Sequence, residues 1–160
     1  MKSKSQDKKP KFSLAYKDDL LFDLIKKTDK KILAIWTIDC VERIIPYFEE
    51  KYPIDNRPRK ALQTLQTWVS TGIFKMTVIR KAALDSHAAA REVGEDTSAR
   101  SAARAAGQAV ATAHVKTHSL AAANYSLQAI YQATNSSDVT LILSKERNWQ
   151  YQHLLDLIKT

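Results

Sequence analysis

The chain has 160 residues, 44% of them apolar, a single cysteine and a formal charge of +8. This is the size of one domain with a core of its own. Cys40 alone excludes an intrachain disulfide and any multi-cysteine zinc site, and no run approaches the roughly 18 consecutive apolar residues of a membrane span. Only three glycines and four prolines interrupt the chain, so the expected fold class is all-α, a bundle of about six helices.

Half of the charge lies in residues 1–13, where Lys2, Lys4, Lys8, Lys9 and Lys11 face only Asp7. This stretch is expected to be a disordered basic tail, with a single helical domain over residues 14–160. The surplus left for the domain is moderate, so the basic composition argues little for nucleic-acid binding. The start lacks the apolar core of a signal peptide, and a cytoplasmic protein is expected.

In chain order, Leu20, Leu21, Phe22, Leu24 and Ile25 form a short apolar segment. Asp29 is then placed to cap a second helix from Lys30. That helix is apolar on two sides, with Leu33, Cys40, Val41, Ile44 and Phe48 on one face and Ile32, Trp36, Asp39, Arg43 and Pro46 on another, so a central position is expected. Cys40 lies among Ile38, Val41 and Ile44 and reads as a buried structural thiol. Pro46 should kink or divide the helix. Pro58 marks the start of a helix through Ala61, Leu62, Leu65 and Trp68 that stops near Gly72. Another runs from about Thr77 to Gly94. Thr134 to Ser137 is a loop before a last helix at Asp138 to Lys159, where the β-branched Val139, Thr140 and Ile142 leave a strand open.

Between them lies ARSAARAAGQAVATAHVKTHSLAAA, Ala99 to Ala123. Alanine is the best helix former and Gly107 is the only breaker, so one long central helix is expected, reaching on through Leu127, Ile130 and Tyr131. On a continuous helix Arg100, Arg104, Gly107, His114, His118 and Tyr125 share one stripe. The two imidazoles four residues apart fit hydrogen-bonded structural histidines, partner-facing groups or metal ligands, although the Glu of an HExxH motif is missing.

Asp39, Glu42 and Arg43 form a second polar set, readable as an intrahelical ion pair or as part of an internal network. Arg80, His87 and Arg91 form a third, with Arg57 and Arg59 flanking Pro58. No catalytic constellation is present: there is no Glu-x-x-His pair, no Gly-x-Ser-x-Gly elbow and no Gly-rich phosphate loop.

The pieces DCxER, RPRKA, HAAARE and AAGQAVATAHVxTHxLxAA, in this order over residues 34–123, resemble the immunity proteins of bacterial polymorphic-toxin systems, specifically the immunity protein five-like helical domain. The resemblance implies an α-helical cytosolic protein, without a cofactor or catalysis, that binds and neutralises a toxin made by the same or a sister cell. Its pattern carries over to Asp39, Glu42, Arg43, Arg57, Arg59, His87, Arg91, Gly107, His114 and His118; Arg100 joins them from the helix stripe. These residues are expected to bind the cognate toxin or to form an internal polar network. Two further readings are a metal-dependent helical enzyme using His87, His114 and His118 with Asp39 or Glu42, and a nucleic-acid-binding module. A homodimer through the Ala/Gly-rich face is a further expectation.

Overall fold

A computed structural model describes residues 8–14 and 18–160. The first part of the expected tail, residues 1–7, lies outside the described residues. Residues 8–14 run along a later helix, where Phe12 stacks on Tyr131 and the Tyr131 hydroxyl donates to the Pro10 carbonyl at 2.5 Å.

α1 (Asp19–Lys27) is capped by Asp18, whose carboxylate accepts from the Leu21 amide at 3.1 Å, and it buries Leu21 and Ile25. α2 (Lys30–Glu42) lies between two apolar clusters, which is why it is apolar on two sides. Leu33, Trp36 and Cys40 pack with Leu21, Ile25 and Leu154, while Ala34 and Val41 pack into the larger cluster with Phe48, Leu62 and Leu65. The sequence divides these faces differently, since it groups Cys40 with Val41. Pro46 does divide the helix: α3 (Pro46–Glu49) is a separate turn of helix with the proline at its start, where the missing amide costs nothing.

α4 (Arg57–Thr71) and α5 (Met76–Val93) each end on a glycine in the left-handed region, Gly72 at φ 69° and Gly94 at φ 76°. Both stops are at the residues the sequence marks. The last helix, α8 (Val139–Lys159), includes Val139, Thr140 and Ile142, and the described residues contain no strand.

The alanine-rich run corrects the sequence reading. It is not one long helix but two, α6 (Ser98–Ala111) and α7 (His118–Ala133), folded against each other. The chain passes through Gly107 without a break and turns five residues later. There the Thr112, Ala113 and His114 amides donate to carbonyls three residues back, tightening the end of α6. The freed Ala113 carbonyl accepts from Lys30 Nζ at 3.5 Å, and β-branched Thr112, Val115 and Thr117 weaken helix continuation. With the divisions at Pro46 and at 112–117, the described residues hold eight helices rather than about six.

α6 packs against α2, α3, α4, α5 and α7. Its small side chains allow this: Ala102, Ala103, Ala105, Ala106 and Ala109 are all fully buried. Small residues face them from α5 (Ser86, Ala89, Ala90) and α7 (Ser119, Ala122, Ala123, Ser126). Backbones come close enough for the Ser86 hydroxyl to donate to the Ala103 carbonyl of the neighbouring helix at 2.7 Å. On the far side of α2, the Trp36 indole donates to the Gln150 carbonyl at 2.8 Å, and the fully buried Gln150 amide donates to the Ala123 carbonyl at 3.1 Å. These bonds satisfy polar groups that would otherwise be costly to bury.

Ala103→Leu inserts three heavy atoms into the fully buried seam where α5 meets α6 at Ser86. Overpacking of this kind costs about 1–3 kcal/mol, so urea denaturation should show a lower midpoint with the transition still cooperative. An unchanged midpoint would mean that the two helices are not closely packed there.

Candidate functional site

The site is built on one contact between α5 and α6. A β-carbon added at Gly107 would lie 2.8 Å from both Cε1 and Nε2 of His87 and 3.1 Å from its Cδ2. Real β-carbons do not come that near, so the imidazole occupies the place of a residue-107 side chain. Glycine in a helix interior costs about 1 kcal/mol relative to alanine, and here it gives the ring a seat.

The ring is largely buried, and its Nδ1 has no hydrogen-bond partner among the described residues. Burial, followed by the nearby charges of Arg104, Arg91 and His118, lowers the His87 pKa to about 4. His118, in the first turn of α7, is lowered as well, by burial and then by His114. Its Nδ1–H donates to Gln108 Oε1 at 2.7 Å. His87 and His118 therefore come together over α6 from its two neighbours, whereas His114 and His118, four residues apart, do not share one rod.

Arg91 and Arg104 lie near this seat, and Arg100 is one turn from Arg104 on α6. Arg100 and Arg104 line a 320 Å³ cavity between α6 and α7 together with Asp96, Tyr125 and Gln128. None of the three arginines has a carboxylate or other hydrogen-bond partner among the described residues. In the other direction along α5 and α6, Arg80, Ala83, Leu84, Ala111 and His114 line a smaller pocket of 170 Å³. His114 is exposed and stacks on Phe74 with 6.3 Å between ring centroids, so it leaves the stripe that a continuous helix would have given it. Around this end Ile73, Phe74, Val78 and Leu84 are exposed, Ile73 by 65% and Leu84 by 58%.

The other candidate residues are paired between helices. Arg57 joins α4 to α5, with Asp55 at 2.7 Å and Glu92 as its second partner. Its hydrogen bond to Asp55 holds that carboxyl below the usual range. Arg59 binds Glu49 at 2.6 Å and Glu42 at 2.5 Å, tying α4 to α3 and α2. Asp39 and Arg43 do not pair with each other. Asp39 accepts from His153 Nε2 at 2.7 Å, and Arg43 makes two bonds to Glu146 at 2.6 and 2.9 Å while lying 3.9 Å over the Trp149 ring. Cys40, beneath them, is buried, and desolvation pushes its thiol well up.

Three features of this order agree: motif residues from distant parts of the chain meet, Gly107 is needed by His87, and the helices close into one bundle. A family profile described as Imm-5 like putative immunity protein matches residues 23–157. The chain belongs to this immunity-protein family. The matched region runs from inside α1 to inside α8 and so takes in α2 to α7 entire. No curated protein and no solved structure matches the chain.

Within this family fold, the α8 residues Glu146, Trp149 and His153 were not singled out from the sequence. Their i, i+3, i+7 spacing, which places them on one helix face, was the available signal. Gln108, one turn after Arg104, was passed over in the same way. No group of three or more His, Cys, Asp or Glu side chains among the described residues could hold a metal ion. No helix among them is long and apolar enough to cross a membrane.

The low His87 pKa makes stability depend on pH. The folded state takes up the proton only near pH 4, whereas the unfolded chain takes it up near 6.5. Stability is therefore full above about pH 6.5 and falls as pH drops from there through about 4, with His118 acting in the same direction. Denaturant titrations of the wild type should show this decline and His87→Gln a flatter one. The same slope in both proteins would contradict the assignment.

Proposed function

We propose that this protein is a non-enzymatic immunity protein that binds a cognate toxin and neutralises it through the face formed by α5, α6 and the start of α7. Membership of the immunity family supports the class of function. The observation that carries the choice of face is the sorting of its polar residues. Asp39, Glu42, Arg43, Arg57 and Arg59 are engaged within the bundle, whereas Arg91, Arg100 and Arg104 are left without a hydrogen-bond partner among the described residues.

The exposed Leu84 and Phe74 continue this face, Leu84 beside Ala111 and His114 and Phe74 stacked on His114, while exposed Ile73 and Val78 lie next to them toward α4. Arginine beside exposed aromatic and apolar side chains is the composition of energetically dominant interface positions. An apolar patch of this kind is otherwise a liability on a free surface.

The test is co-expression with the toxins encoded beside the gene. The wild-type chain should restore growth and co-purify with one of them. Leu84→Asp, an exposed position, should abolish protection with the fold intact by circular dichroism, while Arg43→Ala on the α2–α8 seam should retain it. Failure of the wild type with every neighbouring toxin would overturn the function. Full protection by Leu84→Asp would overturn the face.

A further inference from the structure

The cavity that holds Arg100 and Arg104 is a concentration of positive charge without a counter-ion among the described residues. The two arginines share one side of α6, and Arg91 on α5 acts together with Arg104 on the His87 ring. The one acid in the lining, Asp96, is already bonded, its Oδ1 accepting from Gln132 Nε2 at 2.8 Å. The Ser101 hydroxyl, also in the lining, lies within hydrogen-bond distance of Gln128 Oε1 at 3.0 Å and Gln132 Oε1 at 2.5 Å. Arginines are the best protein donors for a planar carboxylate, since two parallel N–H bonds match its two oxygens.

A second observation is independent of the cavity. The largely buried His87 imidazole, near enough to Arg104 to feel its charge, has an Nδ1 with no partner among the described residues. The charges that face His87 come from Arg91 on its own helix, Arg104 on α6 and His118 on α7, and all of them oppose its protonation. The nearby carboxylates Asp85 and Glu92 are engaged by Lys81 and Arg57.

We propose that the cavity lined by Arg100 and Arg104 is a carboxylate-binding site that receives an acidic side chain from a protein partner. This rests on the toxin-binding reading and specifies its chemistry: the surface that docks here carries Asp or Glu, with an apolar residue further along. The spacing follows from α6. From Arg104 to Ala111, beside Leu84 and His114, is seven residues, or about 10 Å of helix. A polypeptide segment can place a carboxylate at one end of that distance and an aliphatic side chain at the other. A nucleic-acid backbone could pair with the arginines but would leave the apolar end uncovered, so a protein is the occupant favoured.

The probe is an acetylated peptide with two glutamates followed, after a short spacer, by two leucines. Its glutamine analogue, inorganic phosphate and a single-stranded oligonucleotide serve as comparisons. Binding is followed by nuclear magnetic resonance on the full chain, reading the His87 and His118 imidazole signals against pH. The glutamate peptide should bind and move the His87 midpoint upward from about 4, because an anion beside Arg104 offsets the charges that depress it. The glutamine analogue should bind about tenfold more weakly or not at all.

Arg100→Gln with Arg104→Gln should lose the response while its melting temperature stays at the wild-type value. Arg100→Lys with Arg104→Lys, which keeps the charge, should retain part of it. No response to the glutamate peptide, or equal binding of the glutamine analogue, would overturn the site. Tighter binding of the oligonucleotide with a steep salt dependence would replace the protein ligand with nucleic acid and also overturn it. A peptide response without rescue in the toxin co-expression assay would overturn the toxin reading alone, and rescue without a peptide response would overturn this site alone.

Discussion

The His87 ring resting on the bare backbone of Gly107 is the contact on which the rest of this structure depends. It fixes how close α5 lies to α6 and where along α6 it sits. The small residues on both helices permit close approach, but a run of alanines is nearly smooth and specifies register weakly. A large planar ring in a single gap supplies the missing specificity. With that register, the Ser86 hydroxyl meets the Ala103 carbonyl, and Arg91 comes to the same side as Arg104.

The polar groups then divide into two kinds. Arg57 and Arg59 are cross-links between helices, each bonded to two carboxylates, and Asp39 and Arg43 do the same between α2 and α8. Partly exposed pairs of this sort add little stability one by one, but they set which helices lie together. Around His87 the situation is reversed. There the cations gather without a counter-ion among the described residues, and the imidazole is held neutral by burial and by their field. This arrangement sacrifices stability locally, and such sacrifices are typical of surfaces that meet a partner.

Much of the fold was legible in the sequence because its punctuation is local. Pro46, Gly72 and Gly94 act through their own backbone geometry, and each ends or divides a helix where its chemistry requires. The turn at 112–117 was not legible for the opposite reason. It contains neither glycine nor proline, and one of its freed carbonyls is satisfied by Lys30, which is distant in sequence. Alanine propensity read along the chain therefore favoured a continuous rod. The site was legible in part: Arg100, Arg104 and Gly107 do share a side of α6, whereas His118 reaches the cluster only because the chain reverses. The partners of Asp39 and Arg43 on α8 could not be assigned from α2, since helix periodicity describes a face and not what it faces.

The most direct test is the effect of Gly107→Ala measured twice, by denaturant unfolding, in the wild type and in a His87→Ala background. In the wild type the new methyl meets the ring, so the substitution should destabilise the protein. Once the ring is removed, the same methyl should be tolerated and its helix propensity should stabilise the protein by up to about 1 kcal/mol. This change of sign is the predicted result. Equal effects of Gly107→Ala in the two backgrounds would contradict the account.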